Sequence, residues 1–259
     1  MALTYAIWLS AFLFVAYGLG RLYAPLRRSR FFKVCFAPGF VALGGLRLLA
    51  CSISGAEVKS VKFFAHDTDA VLYNQEDVTF LGKVMLATFP LIGALLVFAF
   101  VAWAFAWPAG YGRTPELPGE SGTLAGYILE VGGAFVRSFA SMVQASALAL
   151  HEAGRGNLLP VLLLYLLISI LLAAPPSRHE LKYALAGIAV IGILLWLVTW
   201  AGIRFTGWTG RVHAFLWANF SFALALLIYV TVVTLAAIAI GNIIRTLASG
   251  PGRSANSRD

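Results

Sequence analysis

The chain has 259 residues, 60% of them hydrophobic and 12% charged, with a formal net charge of +8. A soluble globular domain carries roughly 25% charged residues, so this composition excludes one. Nucleic-acid binding is excluded as well: it needs a clustered basic face with polar or aromatic readers, whereas most of these arginines sit near the ends of apolar segments, where membrane-surface charge belongs.

Crossing the hydrocarbon core as a helix takes about 20 predominantly apolar residues. Residues 3–22, 34–54, 80–107, 158–174, 181–203 and 214–244 meet that pattern and are expected to span. A closed β-barrel would show short alternating segments, but LLPVLLLYLLISILLAA and ALAGIAVIGILLWLVTWAGI are continuously apolar. The first segment lacks a basic start and a small-residue cleavage site, so it reads as a retained helix and not a signal peptide. It leads into a linker carrying Arg21, Arg27, Arg28, Arg30 and Lys33, which places that linker on the cytoplasmic side and the N-terminus outside.

Residues 56–79 form the most polar stretch. VKSVKFF alternates apolar and polar side chains and AVLYN can return beside it, which predicts a short hairpin on the membrane surface. Its acids, Glu57, Asp67, Asp69, Glu76 and Asp77, outnumber Lys59 and Lys62 and suit the face opposite the basic linker. Pro90 predicts a kink in the following span. Residues 108–156 read as a turn-rich loop followed by an amphipathic or re-entrant helix. In this helix Glu130 and Arg137 share a face, and the alternative is a seventh span with an internal ion pair. Arg245, Arg253 and Arg258 favour a cytoplasmic tail and hence the seventh span. Trp103, Trp107, Trp196, Trp200, Trp208 and Trp217 fall near predicted ends and are expected in interfacial belts, and Asn219 and Asn242 are expected to bond between helices. The expected fold is an all-α polytopic membrane protein of six or seven transmembrane helices with a small surface β-hairpin. One transmembrane domain occupies residues 1–247, with a disordered tail over 248–259.

Chemistry-bearing residues are few. The four histidines, His66, His151, His179 and His213, lie in loops or at segment ends, which does not suit a haem held between facing helices. His151-Glu152 and His179-Glu180 lack the second histidine four residues on, where Arg155 and Tyr183 stand instead, so neither is a two-histidine zinc motif. Cys35 and Cys51 lie at a spacing that is not a ligand pattern and read as apolar filler. No cofactor is expected. Arg47 is different: it lies inside the apolar run 34–55, where a cation costs about 2.5–3.5 kcal/mol on insertion scales and marks a functional site by default.

The frame around Arg47, APGFVALGGLRLLACSISGAEVKSVKFF, resembles bacterial intramembrane metallopeptidases of the site-2 protease family. Their pattern there is Pro-Gly-x-x-x-His-Glu-x-x-His, an Ala/Leu-rich helix, a Gly and a strand. In that register the first His position falls on Leu43, the Glu on Gly44 and the second His on Arg47, so all three catalytic positions have departed. AAPPSRHELKYALAG resembles the family segment Ala-Pro-Ser-x-x-Asp-Leu, whose acid, tied to the third metal ligand, falls on Glu180, and FLGKVMLATFPLIGALL resembles the span after the hairpin. The resemblance implies a catalytically inactive relative, a pseudoprotease, that works as a scaffold or accessory subunit among other integral membrane proteins and lipid in a bacterial cytoplasmic membrane. Arg47 is then expected to pair with Glu180, with Glu130 and Glu152 as competitors. Two alternatives stand beside it: an active protease with an atypical zinc site from His151, His179 and Glu180, and a small transporter or channel with Arg47 and Glu180 or Glu130 on a polar path.

Overall fold

The computed structural model describes residues 2–27, 29–64, 71–74, 78–105, 124–201 and 208–248. The helices are α1 (Ala2–Leu22), α2 (Ala24–Arg27), α3 (Arg30–Cys35), α4 (Ala37–Ser54), α5 (Phe80–Ala104), α6 (Leu124–Gly154), α7 (Leu159–Ala173), α8 (Arg178–Trp200) and α9 (Trp208–Ala248); strands β1 (Val58–Val61) and β2 (Val71–Tyr73) lie between α4 and α5. Six of these helices, α1, α4, α5, α6, α8 and α9, are long and apolar enough to cross a membrane. The chain is an all-α polytopic integral membrane protein.

Two spans differ from expectation. Segment 158–174 forms only the 15-residue α7, about 22 Å long, which is short of a hydrocarbon core of about 30 Å. Proline explains both ends: Pro160 sits in its first turn and Pro175-Pro176 follow its last residues. Shortness suits its place, because α7 packs against α1, α4, α5, α6 and α9 and buries Leu163, Leu167 and the run Ser169–Ala173. Conversely α6, preferred as an interfacial helix, is one continuous helix whose Gly132–Gly154 stretch is of spanning length. Its buried stripe is mostly small, with Ala134, Ser138, Ser141, Ala145, Ser146 and Ala149 beside one large residue, Met142, while Leu129, Val136, Val143 and Leu150 are exposed. That division suits close packing on one face and lipid on the other. Glu130 and Arg137 share the helix but form no ion pair, and one Glu130 carboxylate oxygen is buried without a hydrogen-bond partner.

The hairpin forms as the alternation predicts. β1 and β2 are antiparallel, pairing Val58 with Tyr73, Ser60 with Leu72 and Val61 with Val71, with a register shift between Val58 and Ser60. Val71 turns inward against Ala50, Cys51, Ala56, Val78 and Leu86, so the hairpin sits on the ends of α4 and α5. α5 continues through Pro90, whose missing N–H leaves the Leu86 carbonyl without its helical donor.

Two side-chain assignments change. Trp217 is 1% exposed and belongs to the core, edge-on to Tyr5 with ring centroids 5.7 Å apart and 5.0 Å from Trp8. Trp103, Trp196 and Trp200 are exposed near helix ends, as a belt requires, while Trp107 lies outside the described residues. The Asn219 amide donates within α9, to the Phe215 carbonyl at 2.8 Å, and Asn242 is exposed, so neither bonds between helices as expected. Lys33, read as part of a surface linker, is buried. His66 and the tail after Ala248 lie outside the described residues.

The seam between α4 and α7 holds these elements in register. Phe36 precedes α4 without a side-chain cap of its own. Ser169 of α7 supplies one: its hydroxyl accepts from the Gly39 N–H at 2.9 Å and donates to the Phe36 carbonyl at 2.8 Å. Tyr165, one turn earlier, donates to the Cys35 carbonyl. A Cβ on Gly39 would overlap the Ser169 backbone carbonyl, so only glycine permits this approach. Gly45, by contrast, faces open space. Gly39→Leu is expected to abolish accumulation of folded protein, Ser169→Ala to lower stability by about 1 kcal/mol, and Gly45→Ala to leave it unchanged. Thermal unfolding in detergent measures all three, and a Gly39→Leu protein as stable as wild type would refute the seam.

Candidate functional site

Arg47 lies about 15 Å of helix rise beyond Ala37 and about 10 Å before Ser54, in the interior of α4. Its Nη2 stands 3.4 Å from Glu180 Oε2, and the two side chains are 12% and 14% exposed. Charge-assisted hydrogen bonds are usually about 2.7–2.9 Å, so at this separation the attraction is mainly Coulombic. It gains from the low dielectric around both groups.

Glu180 is held in place by contacts other than Arg47. The Ser177 hydroxyl accepts the Glu180 N–H at 3.3 Å, and the Ser177 N–H donates to Glu180 Oε2 at 2.7 Å. This reciprocal capping box starts α8 immediately after Pro175-Pro176. The capping-box signal is legible in the sequence as Ser177-Arg178-His179-Glu180, a Ser followed three residues on by a Glu. One carboxylate oxygen therefore closes a helix terminus and neutralises a membrane-buried cation. Glu152 instead lies 3.7 Å from Arg155 in its own helix end, and Glu130 lies on α6.

The other two motif positions are filled by packing. Leu43 is buried in the main core with Phe40, Leu167 and Leu171. Gly44 lies beneath the Phe63 ring, which a Cβ there would overlap; the strand that follows α4 thus folds back over it. Gly44 therefore receives an aromatic ring from the segment that follows β1. On α5, Gly93 faces Leu46, with an added Cβ only 2.6 Å from a Leu46 methyl, and Gly82 lies near Ser54, so α4 and α5 run antiparallel.

A small cavity of about 60 Å³ adjoins the pair, lined by Tyr73, Lys83, Leu86, His179, Glu180 and Tyr183. It has room for a few waters. His179 reaches this cavity, but His151 lies near the end of α6, at the opposite end of α7 from His179. Among the described residues no three His, Cys, Asp or Glu side chains are grouped as metal ligands would be. The structure thus joins Arg47 to Glu180 and does not join His151 to His179.

The arrangement offers a fixed charge pair, a capped helix start and a water-sized polar pocket, with no general base at Gly44 and no imidazole at Leu43 or Arg47. Replacing one partner leaves the other charged and buried, which costs about 3–5 kcal/mol, while removing both is much less harmful. Arg47→Met and Glu180→Gln are each expected to lower folded yield sharply, and the double variant to recover much of it, since Gln also serves a capping box. Fluorescence-detected gel filtration of the three variants checks this; additive losses in the double variant would show that the two charges are not coupled.

No family model, no curated protein and no solved structure matches this chain.

Proposed function

We propose that this protein is a catalytically inactive, site-2-protease-like member of the bacterial cytoplasmic membrane, acting as a scaffold or accessory subunit for other integral membrane proteins. The observation that carries the reading is what fills the motif frame. Leu43 is core, Gly44 lies under Phe63, and Arg47 is neutralised by the carboxylate at the position of the third ligand. Zinc hydrolysis needs three protein ligands, an open coordination position and a base. A guanidinium at one ligand position repels a metal, and its ion pair occupies the other.

The scaffold half of the proposal rests on α9. This helix has 41 residues, and its apolar stretch, residues 214–244, rises about 46 Å, more than a hydrocarbon core of about 30 Å. Tilt accommodates the excess. Its first half packs in the core, and Tyr23 bonds Thr234 at 2.7 Å. Beyond that point Leu235, Ile238, Ile240, Ile243 and Ile244 are all exposed. An apolar helix end that stands clear of its own bundle is a surface on which another membrane helix can pack. The polar cavity beside the charge pair holds only a few waters, which favours packing over a permeation path.

Purified full-length protein is expected to contain substoichiometric zinc and to cleave no membrane-helix substrate. In mild detergent it is expected to co-purify with a defined integral membrane protein, and Ile240→Trp is expected to release that partner without changing the yield of the chain itself. Stoichiometric zinc with hydrolysis would overturn the inactive assignment, and a monodisperse protein that retains no partner would overturn the scaffold assignment.

A further inference from the structure

Along α6 one pattern recurs every seven residues, and the charge pair makes no use of it. A large apolar residue stands directly before a polar one at Leu129-Glu130, Val136-Arg137, Val143-Gln144 and Leu150-His151. Three positions after each polar residue comes a small one: Gly133, Ala140, Ala147 and Gly154. Helical residues three and four apart are neighbours on one face, so the small row lies between the apolar row and the polar row. The result is a shallow trough with a small-residue floor, one apolar wall and one polar wall.

This trough faces away from the protein's own bundle. Leu129, Val136 and Leu150 are more than half exposed, and Arg137, Gln144 and His151 are exposed beside them. The floor is open as well: a Cβ on Gly154 would touch nothing, and one on Gly133 only the Arg137 side chain. The side chains of Glu130, Arg137, Gln144 and His151 make no hydrogen bond or ion pair with any described residue. One Glu130 oxygen is buried without a partner. From Glu130 to His151 the helix rises about 32 Å, close to the hydrocarbon core of about 30 Å. The apolar wall suits lipid, but the polar wall does not: ionisable residues in spans face protein or water. A seven-residue period, moreover, keeps one face toward a packed helix over many turns, a regularity that fluid acyl chains do not require.

We infer that this side of α6 docks a transmembrane helix of a different integral membrane protein, one that brings a carboxylate to Arg137. This assignment rests on the scaffold reading and adds the partner's chemistry and a contact face besides α9. The floor lets the partner's backbone approach closely, the apolar wall packs against its side chains, and the polar wall sets its register. Charge selects the occupant. A second copy in the same orientation, related by a two-fold axis, would set Arg137 against Arg137 and Glu130 against Glu130. A phospholipid phosphate can reach an arginine near a membrane surface, but it offers nothing to Gln144, near the centre of the Gly132–Gly154 stretch. A helix with an acid opposite Arg137 and a hydrogen-bonding residue opposite Gln144 satisfies both.

The test is photo-crosslinking of the full-length protein in its native membrane, with p-benzoylphenylalanine in place of Val136 or Val143 and mass spectrometry of the adduct. One membrane protein is expected, joined through a spanning segment that holds an Asp or Glu within about one turn of Arg137 in depth. Arg137→Glu is expected to leave the yield of the chain unchanged and to reduce the adduct at least about tenfold. Replacing the partner's acid with Arg is expected to restore it. Ala140→Leu, which fills the floor, is expected to reduce the adduct whatever the charge. An adduct with a second copy of this chain, lipid adducts alone, no adduct, or a joined segment without an acid would each overturn the site. A co-purifying partner that crosslinks through Ile240 and not through α6 would overturn this site and leave the scaffold reading standing. Zinc-dependent hydrolysis by a protein that keeps the α6 adduct would do the reverse.

Discussion

The Ser169 hydroxyl of α7 completes the first turn of α4, accepting from one backbone group and donating to another. In hydrocarbon an unsatisfied N–H or C=O costs several kcal/mol, and Phe36 has no side chain with which to cap the helix. The bond thus fixes where α4 begins, and Gly39 sets how closely it lies on α7. Everything further along α4 follows from that placement. Leu43 enters the core, Gly44 meets Phe63, Leu46 meets Gly93, and Arg47 reaches the start of α8. The short α7 can do this because it touches five other helices and has no need to reach both surfaces.

Glu180 shows how one residue meets two requirements that compete elsewhere. A helix beginning inside a membrane protein needs an acceptor for its first N–H groups, and a buried arginine needs an anion. The capping box holds Glu180 Oε2 at Ser177, so little further ordering is needed when Arg47 approaches. The same economy bears on function: a carboxylate committed to a helix terminus and a guanidinium is poorly placed to hold a metal. The His179 side of the pocket remains polar, but its size limits it to water.

Much of the fold was legible because apolar length is a strong signal in a bilayer. The helices around residues 3–22, 34–54, 80–107, 181–203 and 214–244 appear within a few residues of their expected limits, apart from α9, whose N-terminal end begins earlier. The failures have identifiable causes. Composition alone made 158–174 a span, but prolines at its two ends cut α7 short. The moderate polarity of α6 looked interfacial because its serines and alanines form a packed stripe, which hydropathy counts as weakness. Trp217 lies near a segment end in sequence, as a belt residue would, and its packing on Tyr5 and Trp8 of α1 draws it into the core. The apolar groove between α5 and α9 was not visible at all, since its two walls are more than a hundred residues apart in sequence.

The sequence by itself determined that this is a helical membrane protein, that a hairpin follows α4, and that Leu43, Gly44 and Arg47 carry no imidazole or carboxylate. These are local properties: apolar length, alternation and residue identity need no neighbours to act. Tertiary structure alone decided that Arg47 meets Glu180, that Ser169 caps α4, that α7 is buried and that residues of α5 and α9 line one apolar groove. Each depends on contact between helices far apart in the chain, and many relative rotations of apolar helices are nearly equivalent in hydrophobic burial. The few polar groups that must be satisfied, and the few glycines that permit close approach, select one of them.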